Sequence, residues 1–162
     1  MRKNLILSIC LFLAVTLQAQ NRVVDGNLPM VFLIGENEGE YEQMVASYNT
    51  LLLTVCDNSM DKAYKVWTLF LQDFENFSRN EGVDIKGVKI WINVFWNANG
   101  MIDHIVYYPK PHSKNMDFSI LTDLFERFVD MNQLEVTSSV PFSQYGSASF
   151  PVFSKYNRAS EE

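Results

Sequence analysis

Val88-Lys89-Ile90-Trp91-Ile92-Asn93-Val94-Phe95-Trp96 runs into Asn97-Ala98-Asn99-Gly100, and Met101 to Tyr108 follows. The first stretch alternates. Val88, Ile90, Ile92, Val94 and Trp96 share one face, and Lys89, Trp91, Asn93, Phe95 and Asn97 share the other. Side chains of a strand point to opposite faces with period two, so this spacing predicts a strand with one wholly apolar face. Asn97 to Gly100 carries turn chemistry, with Gly100 free to take a positive φ, and the next stretch returns as the partner strand. In that return Ile102 is followed by Ile105 and Tyr107, so the parity shifts. A bulge near Asp103-His104 accounts for the shift, as does apolar cover on both faces.

Helical spacing surrounds this hairpin. Tyr41, Met44, Val45, Tyr48, Leu52, Val55 and Cys56 predict a helix over about 41–56, entered through the acidic run Glu36 to Glu42 that suits a helix N-terminus. Ala63, Val66, Trp67, Phe70, Leu71, Phe74 and Phe77 make the cleanest amphipathic stripe, capped near Asn58 and stopped before Gly82. After Pro109 and Pro111, Asn115 or Asp117 can cap a helix whose buried stripe is Phe118, Leu121, Leu124, Phe125, Phe128 and Val129. Met30 to Ile34 reads as a first short strand and Ser147 to Phe153 as a last one. The order is β-α-α-β-β-α-β: an α+β fold in which helices pack on an antiparallel sheet with a central β-hairpin.

The ends of the chain speak to compartment. Arg2 and Lys3 precede an apolar run from Leu5 to Leu17, and Leu17-Gln18-Ala19 offers a small residue at a cut before Gln20. That is the order of a secretory signal, and the run is too short for a comfortable membrane span. Residues 1–19 are therefore expected to be a cleaved signal peptide, 20–29 a lead-in, 30–156 one α+β domain, and 157–162 a flexible tail. The compartment that follows is the periplasm or cell envelope, with no integral span after cleavage. Cys10 leaves with the leader, so Cys56 has no cysteine to pair with and the fold relies on its core. The chain has 13 basic and 19 acidic residues, a formal charge of −6, and losing Arg2 and Lys3 takes it to −8. A surface of that sign with no Lys/Arg cluster repels phosphate backbones and anionic lipid, which argues against a nucleic-acid role and against peripheral membrane binding.

From Gly87 onward the chain resembles the C-terminal domain of TonB-type energy transducers. The residues that carry the resemblance are the alternating strand Val88 to Val94, the turn Asn97-Ala98-Asn99-Gly100, the return strand Met101 to Tyr108, an amphipathic helix, and a final strand ending Phe150-Pro151-Val152-Phe153. The helix over Asp61 to Phe77 stands for the one preceding the hairpin in that family. In those proteins the last strand recruits a receptor peptide by β-strand addition. The family's uncleaved membrane anchor and Pro-rich spacer are not seen here, so the resemblance implies fold and binding mode rather than energy transduction.

Chemistry is sparse. His104 and His112 with Asp103 and Asp117 match neither a helical i, i+4 pair nor a short Cys/His knuckle, so no metal is assigned. Asp103 and Glu126 are available for acid–base work, but nothing in the sequence brings two carboxylates together. Cys56 sits in an apolar run that suits a buried thiol. Gly82 to Gly87 is not a phosphate loop. No catalytic, cofactor-binding or metal residue is expected, nor any cofactor, and the chain reads as more binding module than enzyme. The candidate partner surface is Trp91 and Phe95, two large aromatics spaced by polar residues on the second face of the hairpin, where binding hot spots favour such rings; the alternative is that the N-terminal helical pair folds over this face and buries both. The partner expected is an envelope protein or peptide. The rival reading is a small-ligand-binding or hydrolytic domain with an aromatic-lined pocket between helices and sheet.

Overall fold

The hairpin forms where the alternation places it and lies at the heart of a five-stranded sheet. The computed structural model describes residues 28–156; the expected leader, its cleavage point and the tail 157–162 lie outside them. The elements are β1 (Val31–Leu33), α1 (Glu38–Ser47), β2 (Thr50–Leu51), α2 (Leu52–Val55), α3 (Met60–Asn80), β3 (Lys89–Trp96), β4 (Ile102–Pro109), α4 (Phe118–Met131) and β5 (Phe142–Ser149). The strands lie in the order β1-β4-β3-β5-β2. β3 pairs antiparallel with both β4 and β5.

The sheet is mixed, which corrects the expectation of a purely antiparallel one. The edge strands β1 and β2 run parallel to β4 and β5. Three and two residues are too few to display alternation, and their direction follows from how the flanking helices deliver the chain to the edge.

Gly100 turns the hairpin with φ +81°. A Cβ there would stand 2.7 Å from the Val136 carbonyl oxygen and 2.8 Å from that of Leu134, so the site excludes any side chain as well as disfavouring an L-residue backbone. The parity shift in the return strand is a bulge. Phe95 lies opposite His104 and Trp96 opposite Ile102, which leaves Asp103 as the extra residue.

Helices cover both faces of the sheet, unequally. α3 and α4 seal one face: Ile90, Ile92, Val94 and Trp96 meet Phe70, Phe74, Phe125 and Phe128 in a single buried cluster. Both helices start at side-chain caps. Ser59 Oγ accepts from the Lys62 N–H at 3.4 Å, and Asp117 Oδ1 accepts from the Ser119 N–H at 3.0 Å. On the second face α1 lays Tyr41 and Met44, and the chain just beyond it lays Tyr48, over Phe32, Phe95 and Val106.

Two more expectations are corrected. The helix over 41–56 breaks after Ser47. Ser143 Oγ donates to the Tyr48 carbonyl at 3.0 Å, and Thr50–Leu51 extend to pair with Phe142–Ser143 before α2 begins. The order is therefore β-α-β-α-α-β-β-α-β. The last strand is Phe142–Ser149, not Ser147 to Phe153. Beyond Phe150 the chain leaves the sheet and is tied to α3, where Glu75 Oε2 accepts from the Val152 N–H at 2.8 Å and Gln72 Nε2 donates to the Tyr156 carbonyl at 2.8 Å.

Candidate functional site

The second face of β3 divides into a covered end and an open end. At the covered end Phe95 sits opposite His104 and Ser143, with the rings of Tyr48 and Tyr41 edge-on at 5.0 and 6.3 Å. Phe95 has no exposed surface. It is core, and of the two expected surface residues it presents nothing to a partner. The reason is α1, which the sequence led one to place as part of a longer helix.

At the open end α1 no longer reaches. Trp91 lies opposite Tyr108 on β4 and Ser147 on β5, and Asn93 lies opposite Tyr145. Trp91 is 39% exposed, Tyr108 53% and Tyr145 57%. Three side chains from three neighbouring parts of the sheet form a row. Lys110 Nζ stands 4.1 Å above the Trp91 ring, and the Tyr145 ring lies 6.1 Å from Trp91 with planes 13° apart. A cation over an indole face and near-parallel rings hold this row in place without burying it. Asn93 anchors its base, with Nδ2 donating to Tyr41 Oη at 3.3 Å.

The row ends at a strand edge. β5 pairs with β3 along its whole length, whereas β2 covers only Phe142 and Ser143 on the other side. Phe150 directs both its N–H and its carbonyl toward the β3 side, to Val88 and Gly87. By alternation Tyr145, Ser147 and Ser149 aim theirs outward. One of these groups is met: Gln144 Nε2 donates to the Tyr145 carbonyl at 2.8 Å. The other outward groups of Tyr145, Ser147 and Ser149 have no protein partner among the described residues. The edge carries no charge, no proline and no bulge, the devices that usually blunt such an edge.

The groups weighed for chemistry lie apart. His104 is buried, with Nδ1 2.9 Å from the Pro29 carbonyl, and Asp103 is buried with the Tyr48 hydroxyl donating to it at 2.9 Å. His112 is in the loop after β4 and Asp117 is spent on capping α4. Among the described residues no group of three His, Cys, Asp or Glu could hold a metal ion. Burial, reinforced by the neighbouring Asp57 carboxylate, pushes the Cys56 thiol up, which suits an inert core sulfur. Tyr107 is also buried. Its hydroxyl donates to the Phe118 carbonyl at 2.9 Å and meets Thr122 Oγ1 at 2.7 Å, and burial pushes it up to about 12. Among the described residues no helix is long and apolar enough to cross a membrane.

No protein-family model, no curated protein and no solved structure matches the chain.

Sequence reasoning singled out Trp91 and passed over Tyr108, Tyr145 and Lys110. Tyr108 was within reach, because pairing the hairpin through its turn sets it opposite Trp91. Tyr145 was not, because it lies in a polar stretch, Ser143 to Gly146, that reads as the lead-in to a strand from Ser147 until β3 is seen to need a second partner along its whole length.

Proposed function

We propose that the chain is an exported, non-enzymatic binding module of the bacterial cell envelope, similar in fold to the C-terminal domain of TonB-type proteins. Its partner surface is the open end of the second sheet face together with the adjoining edge of β5. The observation that carries this is the Lys110–Trp91–Tyr145 row, held in order and exposed, ending beside unpaired backbone groups. Large rings fixed before binding lose little freedom on contact, and an unpaired edge accepts an extended segment of another chain. The succession β3, β4, α4, β5 supports the TonB-like part of the reading, and the leader-like residues 1–19 support export. Between α3, α4 and the central strands the layer is filled by packed rings, Phe74 stacked on Phe125 at 4.1 Å and Phe70 edge-on to Trp96 at 5.6 Å, where the rival reading needs a pocket.

The test uses the processed protein as bait in extracts of its native envelope, beside the double variant Trp91→Ala/Tyr145→Ala. The expected outcome is a protein retained by the wild type and lost by the variant, with both baits melting within a few degrees of each other. Identical retained proteins, or an unfolded variant, would overturn the reading. A mass spectrum of the exported protein beginning at Gln20 checks the export step, and an intact Met1 peptide contradicts it.

A further inference from the structure

Beside the β5 edge, on the helix side of the sheet, lies an apolar groove of about 260 Å³ between β2, α2, α3 and β5. Leu51, Leu53, Met60, Tyr64, Trp67 and Gln144 line it. Its floor depends on one glycine. A Cβ at Gly146 would lie 3.0 Å from Trp67 Cζ2 and 3.2 Å from Nε1, so only glycine lets the indole settle against the strand. Trp67 in turn stacks on Phe70 at 5.5 Å, which fixes the inner wall. Tyr64 closes one rim with its ring 6.1 Å from that of Tyr156. Leu51, Met60 and Tyr64 are exposed, as large apolar side chains seldom are together on one monomer surface.

We infer that this groove is a specificity pocket for a single large apolar side chain on the extended segment that pairs with β5. The inference rests on the proposed function and adds the chemistry of the partner. The occupant is named by what adjoins the groove: Gln144, which lines it, leads along β5 into the outward peptide groups of Tyr145, Ser147 and Ser149, and peptide groups are complementary to another peptide backbone. Position follows from the register. β2 runs parallel to β5 and ends at Leu51, opposite Ser143. A segment pairing beyond it takes the next places along the same edge. Its residues then alternate between the two faces of the sheet, one set level with Gln144 and Gly146 and the other beside Tyr145. The first set enters the groove. The volume is below the roughly 300–1,000 Å³ of pockets that enclose a small-molecule ligand, and suits one side chain entering from a strand. None of these lining side chains is charged, so a Lys or Glu at that place would lose water without gaining a partner. Gln144 must release the Tyr145 carbonyl as the segment pairs, so its amide reports on occupancy.

Two measurements on the processed protein separate the pocket from the strand pairing. In the first, N-acetyl-leucinamide and N-acetyl-lysinamide are titrated into labelled protein and amide shifts are followed. Saturable shifts at Leu51, Leu53, Tyr64 and Gln144 with the leucine probe alone, lost in Met60→Glu, are expected. Equal response to the lysine probe, or shifts confined to other residues, overturns the pocket. In the second, a displayed library of random linear peptides is selected against the protein. The expected winners share one large aliphatic or aromatic position and lose at least tenfold in binding to Ser147→Pro. Winners that need the Ser147 edge but share no apolar position overturn the pocket and leave the proposed function standing. Winners that keep binding Ser147→Pro bring down the strand pairing itself.

Discussion

Trp91 and Phe95 sit on the same face of one strand and meet opposite fates, because α1 crosses the sheet over one and stops short of the other. Phe95→Ala removes a fully buried ring from between Tyr41 and Tyr48 and is expected to cost about 3–5 kcal/mol. Trp91→Ala removes a ring held by Lys110 and Tyr145 at the surface and should cost about 1 kcal/mol. Denaturant melts of the two variants side by side check this; equal losses would mean that Trp91 is core. Tyr107 gives a pH test. Its folded-state value of about 12 stands above the ordinary 10.0, so the unfolded chain gives up this proton first. The stabilisation is complete below pH 10 and fades as the pH rises from 10 toward about 12, by roughly 2–3 kcal/mol in all. Tyr107→Phe should lack this contribution to the alkaline slope, at a cost of about 1 kcal/mol near neutrality for the lost hydrogen bonds. Unfolding free energies of both proteins from pH 9 to 12 decide it, and parallel slopes would show that the hydroxyl is not protected.

Among the elements, those with long periodic stripes were legible and the short ones were not. α3, α4 and the β3–β4 hairpin follow from spacing, since a buried face repeated over several turns or alternations leaves little ambiguity. The bulge at Asp103 was also legible, as a break in parity. The break after Ser47 was not, because Tyr41 through Cys56 keeps helical spacing; pairing of Thr50–Leu51 with β5 overrides it. β5 itself was misplaced, since Ser143, Gln144, Tyr145, Gly146 and Ser147 alternate without an apolar face outside Phe142 and Ala148. Its edge makes a sharp prediction. Ser147 directs its N–H outward, where it bonds nothing in the protein, so Ser147→Pro should cost about 1 kcal/mol or less. Ala148 lies opposite Ile90 and directs its N–H inward, so Ala148→Pro orphans a buried carbonyl and should cost roughly 2 kcal/mol or more. Thermal melts of the pair, read against wild type, test the alternation; the reverse order would put the open edge on the wrong residues.

At the scale of the molecule, the chain spends its aromatics in two ways. Most fill the layer between α3, α4 and the sheet, and a few stand in a row at the uncovered end of the opposite face. The sequence made the first use plain through helical stripes and only hinted at the second through Trp91, because exposure there is set by how far α1 reaches across the sheet. The proposed attachment site for another protein is this uncovered end, with the β5 edge beside it. Photo-crosslinking in cells that produce the protein tests this most directly, with a benzophenone amino acid placed at Tyr145 and, as control, at Met131, which is 76% exposed on α4. A discrete protein adduct from Tyr145 that disappears when Trp91→Ala is added, and none from Met131, is expected. Adducts of equal yield from both positions, or a Tyr145 adduct indifferent to Trp91, would contradict it.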